Sequence, residues 1–165
     1  MRARRILSHL LRPPFVARRA FSPLVLAQVE RAIRQVEALH AGEIRFAVET
    51  SLELPALWRG VTPRDSALEA FSRLRVWDTA HDNGVLIYVL FADRAVEIVA
   101  DRAIAARVSQ AEWDAVCREM EDHFRAGHFG PGAVAGVEGV GRLLARHFPR
   151  ARGDRNELPD RPVLL

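Results

Sequence analysis

The sequence predicts an α/β protein, a three-layer α/β/α sandwich around a small mixed sheet that contains one parallel crossover and one antiparallel hairpin. A continuous apolar run from Gly84 to Phe91 has the length of a strand and the β-branched and aromatic content of one buried on both faces. The alternating run that follows returns through the short polar turn 92–94, which predicts a hairpin. Helical patterns on either side of these strands should cover both faces of the sheet.

Composition divides the chain into three segments. Residues 1–21 are a basic arm with six arginines in the first 20 residues and no acid, residues 22–149 are the domain, and residues 150–165 are a tail with prolines and charges but no periodicity. The tail is either disordered or extended across the surface. Residues 21–165 carry 18 arginines against 21 acidic residues, so the domain is mildly acidic despite a formal net charge of +3. That distribution argues against a nucleic-acid partner.

The arm has an apolar helical face of leucines and isoleucine that ends at Pro13-Pro14. Its members are Ile6, Leu7, Leu10 and Leu11. The arm either packs on the domain or frays, or it attaches weakly to an anionic membrane surface, which arginines beside a short leucine face can provide. An unknown protein or such a membrane is therefore the expected partner.

The expected compartment follows from three further observations. A single cysteine, Cys117, excludes an intramolecular disulfide and a cysteine-cluster metal site, and it is compatible with a reducing compartment. No apolar stretch reaches the roughly 18 to 20 residues that cross a bilayer. No secretory signal with a small-residue cleavage site is recognisable at the N-terminus. We therefore expect a cytoplasmic protein, peripheral on the membrane if the arm binds lipid.

The first half of the domain predicts a helix, a strand and a second helix. Ser22 and Pro23 are typical of a helix start, and apolar residues recur at helical spacing until Gly42. Residues 43–50 then alternate as in a half-exposed strand. A loop around Trp58 leads to Thr62-Pro63, which begins the second helix. Its expected buried face consists of Leu68, Phe71 and Leu74.

The second half of the domain predicts two long helices. Ser109 and Glu112 form a capping box for a helix that contains Cys117 on its apolar face and ends at Gly127. Pro131 starts the last helix. This helix contains several glycines, which favour close packing against other helices. They do not form a dinucleotide-binding loop, because such a loop follows a strand. They are Gly132, Gly136, Gly139 and Gly141.

Polar residues bracket the predicted hairpin and form the candidate site. Asp78, Asp82 and Asn83 precede the first strand, and Asp101 follows the second. Because the strands of a hairpin mirror one another around the turn, Asp82 and Asn83 should lie opposite Asp101 and Arg102. Several oxygen ligands would then converge, as Ca²⁺ requires, with Asp78 as an outer ligand. The alternative is structural: Asp82 and Asn83 shape the turn, and Asp101 pairs with Arg102 or caps a neighbouring turn.

From about Gly42 to Phe148, the chain resembles the TPM domain family. The residues that carry the resemblance are Ala70–Leu74, His81–Ile87, Asp93–Arg102, Phe124–Phe129 and Gly132–Gly136. The resemblance implies an α/β/α sandwich, calcium binding and a weak acid phosphatase activity. Many members of the family also carry a signal or a membrane anchor.

Two functions stay open on the sequence. The first is a stand-alone, non-catalytic binding or accessory domain with a divalent-cation site. The second is a metal-dependent phosphomonoesterase that uses the same acidic residues. Phosphatase chemistry needs a metal-bound water or a nucleophile, which Asp82 or Asp101 could anchor, and a cation for phosphate, which Arg94 or Arg102 could supply.

Overall fold

The computed structural model describes residues 2–11, 14–150 and 155–165, so Pro13 of the expected helix stop lies outside the described residues. The elements are α1 (Arg2–Leu10), α2 (Pro14–Ala20), α3 (Pro23–Glu37), β1 (Glu43–Glu49), α4 (Leu54–Arg59), α5 (Pro63–Arg73), β2 (Gly84–Leu90), β3 (Ala95–Ala100), α6 (Arg102–Ala105), α7 (Gln110–Arg125), α8 (Phe129–His147) and β4 (Val163–Leu164).

The sheet has four strands in the order β3-β2-β1-β4. Strands β1 and β2 are parallel, with Glu43 opposite Gly84, and α4 and α5 form the crossover between them. Strands β2 and β3 form the antiparallel hairpin. The mixed sheet with one crossover and one hairpin is confirmed. Strand β4, which periodicity does not predict, adds a short parallel pair to β1 at Ala47 and Val48.

Helices cover both faces of the sheet and enclose two separate cores, which confirms the three-layer sandwich. On one face, α2, α3, α7 and α8 pack on side chains such as Phe46 and Ile87. On the other face, α4 and α5 pack on side chains such as Tyr88 and Leu90. Strand β2 is buried along its whole length, as its continuous apolar run predicts.

Local signals place most helix ends correctly. Ser22 accepts a hydrogen bond from the amide of Val25 at the start of α3. Thr62 and Asp65 form a capping box at the start of α5, and Ser109 and Glu112 form one for α7. These caps supply acceptors for amides that have no partner within the helix.

Two expectations about burial and local structure were wrong, and a third was correct only in part. Strand β1 is not half-exposed, because the second core covers its outer face and tail residues Glu157 and Leu158 contact Glu43, which is buried. The segment around Trp58 is the short helix α4 and not a loop. On α5, Phe71 and Leu74 pack against the second core as expected, but Leu68 is exposed. The residues that α5 buries completely are Ser66, Ala67 and Ala70. Small side chains let α5 approach the sheet closely, which a search for large apolar residues overlooks.

The glycines of α8 allow close helix packing, as expected. A Cβ atom at Gly136 would lie 2.1 Å from the sulfur of Met120 on α7, and one at Gly141 would lie 2.5 Å from Cβ of Val36 on α3. Cys117 is half-buried and packs against the first core.

The arm packs on the domain. Ala17 and Phe21 are 1% exposed and belong to the first core, and His9 is 5% exposed. Residues 155–165 of the tail form no helix and lie on the domain, where the carboxylate of Glu43 accepts hydrogen bonds from the amides of Glu157 and Leu158. Among the described residues, none of the helices combines the length and apolar character that crossing a bilayer demands.

Candidate functional site

The candidate site lies where β2 begins and β3 ends. The amide of Asp101 donates to the carbonyl of Gly84 at 2.8 Å, and the amide of Ala103 donates to the carbonyl of Asp82 at 3.2 Å. The hairpin register therefore brings the residues before β2 against those after β3, as the mirror argument predicts.

Asn83 is the fixed centre of this region. It is 3% exposed, its amide donates to Oγ1 of Thr79, and its carbonyl accepts from the amide of Glu43. Its side-chain nitrogen donates to the carbonyl of Ala41. The remaining polar atom, Oδ1, is buried and has no hydrogen-bond partner among the residues that the structure describes. Since buried acceptors usually have a partner, this oxygen requires an explanation.

Asp101 has a similar oxygen. Its Oδ1 accepts from the amide of Arg102 at 2.7 Å and so caps α6. Its Oδ2 is buried and has no hydrogen-bond partner within the described ranges. Asp101 thus has the capping role foreseen as the structural alternative, yet it keeps one carboxylate oxygen for another interaction.

Asp82 lies at the surface of the same region. Its backbone has φ of +52°, a left-handed conformation that Asp tolerates better than most residues. Its side chain is 44% exposed and lies 3.3 Å from the guanidinium of Arg102, whose own side chain is 85% exposed. Such exposed ion pairs contribute little free energy, so the carboxylate can exchange this partner at low cost.

Asp78 is placed differently from the other three residues. Its carboxylate is half exposed and pairs with Arg75 at 2.6 Å. Within the described part of the chain, no three His, Cys, Asp or Glu side chains stand close enough together to hold a metal ion. The ligand roles of Asp78, Asp82, Asn83 and Asp101 therefore stay a prediction, with Asn83 and Asp101 the residues that have spare buried oxygens.

Two residues that sequence reasoning missed shape this region. Thr79 anchors the amide of Asn83, and its position four residues earlier in a polar turn is the only sequence signal for that role. Val76 approaches the start of β2 so closely that a Cβ atom at Gly84 would lie 2.0 Å from its carbonyl oxygen. Only glycine fits at position 84 without a backbone shift.

Known proteins share this fold and sequence pattern. A family model described as TPM domain matches residues 16–143. The chain is also similar to the NMR structure of the BA42 protein from the psychrophilic bacterium Bizionia argentinensis, with 32% identity, 87% of this chain and 94% of that chain covered, and a TM-score of 0.77. No curated protein gives a significant match.

Two more distant structures share the fold. One is the N-terminal domain of the cg2496 protein from Corynebacterium glutamicum, at 19% identity and a TM-score of 0.55, with 74% of this chain and 73% of that chain covered. The other is the N-terminal domain of a protein from P. gingivalis, at 19% identity and a TM-score of 0.56, with 76% of each chain covered.

Proposed function

The chain belongs to the TPM domain family, and we propose that it is a non-catalytic accessory domain that takes up Ca²⁺ at the hairpin end of its sheet and docks through its arm on an anionic membrane surface. The main support for the calcium site is a pair of buried oxygens, Asn83 Oδ1 and Asp101 Oδ2. Neither has a hydrogen-bond donor among the described residues. A buried acceptor without a partner costs free energy, and a bound cation would remove that cost.

The chemistry of these atoms fits a hard cation. Ca²⁺ binds carboxylate and amide oxygens, and it completes its shell with backbone carbonyls and water. Asp101 would supply charge and Asn83 an amide oxygen. Asp82 would add a second carboxylate after leaving Arg102, and Asp78 would act only as an outer ligand. The small number of charged ligands predicts weak binding.

A titration of the ¹⁵N-labelled protein with CaCl₂, followed by MgCl₂, tests the site. We expect saturable amide shifts confined to residues 78–84 and 101–104, with Ca²⁺ preferred. Asp101→Asn keeps an oxygen for the cap of α6 but loses the charge, so it should weaken Ca²⁺ binding. The matched control is Asp114→Asn, an exposed residue of α7. Absence of localised shifts at millimolar Ca²⁺ would refute the calcium site.

The membrane surface is supported by the outward face of the arm. The inward residue His9 is buried, whereas large apolar side chains next to it are exposed. They are Leu7, Leu10, Leu11 and Phe15, between 54% and 69% exposed. Arg18 and Arg19 are exposed in the following helix. Apolar side chains beside arginines suit the interface of an anionic bilayer, where the apolar groups enter the acyl boundary and the guanidinium groups meet the headgroups.

A metal-dependent phosphomonoesterase is the second candidate. One observation favours it: the largely exposed guanidinium of Arg102 lies beside Asp82, at the same end of the sheet as the calcium site. An arginine there could hold a phosphate while the carboxylates hold the metal. This function shares its residues with the calcium site, so activity measurements on the same variants separate the two proposals.

A further inference from the structure

A polar cavity lies at the opposite end of the sheet from the candidate calcium site. It has a volume of about 300 Å³ and lies between the carboxyl end of β1 and the helices α4 and α5. Its polar lining residues are Glu49, Glu53, Arg59, Ser66, Glu69 and Arg73. In open α/β sheets, the carboxyl ends of parallel strands are the usual place for ligands, and this volume accommodates a small molecule. We refer to it as the carboxyl-end cavity.

The charged side chains around the carboxyl-end cavity form no salt bridges in the described structure. Among the described residues, none of the salt bridges involves any of its five charged side chains. Three of these side chains are acidic and two are arginines, so the cavity offers both signs of charge to a ligand. The acids also do not form a group of three that could hold a metal ion within the described residues. An organic ligand with both charges fits better than a cation alone.

One wall of the cavity is fixed by the buried side chain of Tyr88. The hydroxyl of Tyr88 donates to Oε2 of Glu49 at 2.5 Å. Ser66, which is 6% exposed, lies near the hydroxyl of Tyr88 and offsets part of the rise in its pKa. Burial and the neighbouring Glu49 raise the pKa of Tyr88, so its hydroxyl stays protonated and continues to orient the carboxylate. Glu49 Oε1 is then the atom free to meet a ligand, since no hydrogen bond to it is found in the described structure.

We infer that the carboxyl-end cavity binds a small zwitterion, of which an α-amino acid is the simplest. The oriented carboxylate of Glu49, beside Glu53 and Glu69, would accept hydrogen bonds from the ammonium group. Arg59 or Arg73 would bind the carboxylate, for which the planar guanidinium is well suited. This site shares no residue with the proposed calcium site and is independent of it.

Amide shifts of the ¹⁵N-labelled protein test the inference. The standard amino acids are added one at a time at millimolar concentration, together with n-butylamine and butanoate, which carry one charge each. We expect at least one amino acid to give saturable shifts around Glu49, Ser66 and Ala70, and the singly charged compounds to bind more weakly. If none of the amino acids gives such shifts, or if a singly charged compound binds as tightly, the inference is wrong.

Two substitutions assign the charges. Glu49→Gln keeps an acceptor for Tyr88 but removes the charge, and Arg73→Gln removes an exposed guanidinium. Each should weaken the bound amino acid by about tenfold or more, the usual effect of losing a charged hydrogen bond. Glu119→Gln and Arg142→Gln, exposed residues of α7 and α8, are the matched controls. Unchanged affinity in both cavity variants, with spectra that show an intact fold, would overturn the assignment.

Discussion

His9 in the arm lies 3.0 Å from a carboxylate oxygen of Asp93 in the turn between β2 and β3, measured from Nε2. The other ring nitrogen, Nδ1, accepts a hydrogen bond from the amide of Leu52. Since that amide can only donate, the neutral ring carries its proton on Nε2 and donates it to Asp93. Arg5 adds an ion pair to the same carboxylate at 2.9 Å. One buried imidazole thus connects the arm, the hairpin turn and the segment after β1.

Replacing His9 should release α1, the first helix of the arm, from the domain. His9→Ala leaves the amide of Leu52 without its acceptor and removes one partner from Asp93, whose side chain is only 14% exposed. We expect the free energy of unfolding to fall by about 2 kcal/mol and amide exchange in residues 6–11 to accelerate. His81→Ala, at an exposed position, is the control. Equal exchange rates in the two variants would contradict the role of this contact.

Vesicle binding should depend on the exposed leucines of the arm. Leu10→Ser with Leu11→Ser removes two apolar side chains that are 58% and 68% exposed. Because burying a leucine contributes about 1.5–3 kcal/mol, we expect binding to anionic vesicles to fall by about tenfold or more. Co-sedimentation measures this binding, with phosphatidylglycerol vesicles as the anionic surface and pure phosphatidylcholine vesicles as the uncharged comparison. Leu39→Ser, at a 65% exposed position outside the arm, should bind like wild type. Equal binding to both vesicle types would argue against an anionic surface.

Hydrolysis of p-nitrophenyl phosphate separates the accessory function from the phosphatase. For an accessory domain, we expect no metal-dependent turnover above a buffer control. If turnover is found, Asp82→Asn, Asp101→Asn and Arg102→Gln should each reduce it, since these groups would hold metal and phosphate. Arg107→Gln, an exposed residue just beyond α6, is the matched control. Metal-dependent turnover lost in the site variants but kept in the control would favour the enzyme.

Much of the fold could be predicted because its signals are local. Caps such as Ser22 and the capping box of Ser109 and Glu112 act within one helical turn. The apolar pattern of β2 and β3 also predicted the hairpin register, and therefore the contact between Asp82 and Arg102. Burial of β1 at Glu43 was not predictable, because it depends on the tail residues Glu157 and Leu158, which are more than a hundred residues away in the chain.

The candidate sites could be predicted from the sequence only in part, because they also depend on contacts between distant residues. Sequence reasoning placed Asn83 near Asp101, but the spare oxygens became visible only once the contacts to Thr79 and Ala41 were known. The carboxyl-end cavity was missed altogether. Its residues come from the end of β1, from α4 and from α5, and no local spacing relates them. Such sites depend on tertiary packing, which a pattern along one strand or helix does not contain.

Gly84→Ala should destabilise the protein because of the approach of Val76. The new methyl group would lie 2.0 Å from a backbone carbonyl oxygen, which cannot move as a flexible side chain does. We expect a loss of about 3 kcal/mol, at the upper end for an overpacked site. At Gly127, φ is +83° and nothing lies within 4 Å of an added Cβ, so Gly127→Ala should cost only the backbone strain of about 1 kcal/mol. Urea unfolding measures both, and equal losses would contradict the steric argument.

Glu37 should make the protein less stable as the pH rises. The pKa of this carboxyl is raised from 4.5 to about 8, mainly because the group is buried. The nearby carboxylates of Glu43 and Asp160 also raise the pKa, whereas the hydrogen bond from the amide of Ile44 lowers it. At pH values between 4.5 and about 8, Glu37 keeps its proton in the folded protein and loses it in the unfolded chain. The free energy of unfolding therefore falls as the pH rises from about 4.5 to about 8 and changes no further through this group above that.

Glu37→Gln isolates this contribution, because the amide oxygen still accepts from Ile44 but carries no charge at any pH. We expect the variant to exceed wild type in stability at about pH 9 but not at about pH 5, as measured by urea unfolding. Ionised Glu37 would repel two carboxylates that hold the tail in place. Glu43 accepts hydrogen bonds from the amides of Glu157 and Leu158, and Asp160 lies in the tail and pairs with Arg34. The tail should therefore loosen first, with faster exchange of the Leu165 amide that donates to Val48.

The control is Glu138→Gln, at an exposed position of α8. The same pH slope in Glu37→Gln and wild type would show that Glu37 does not hold this proton.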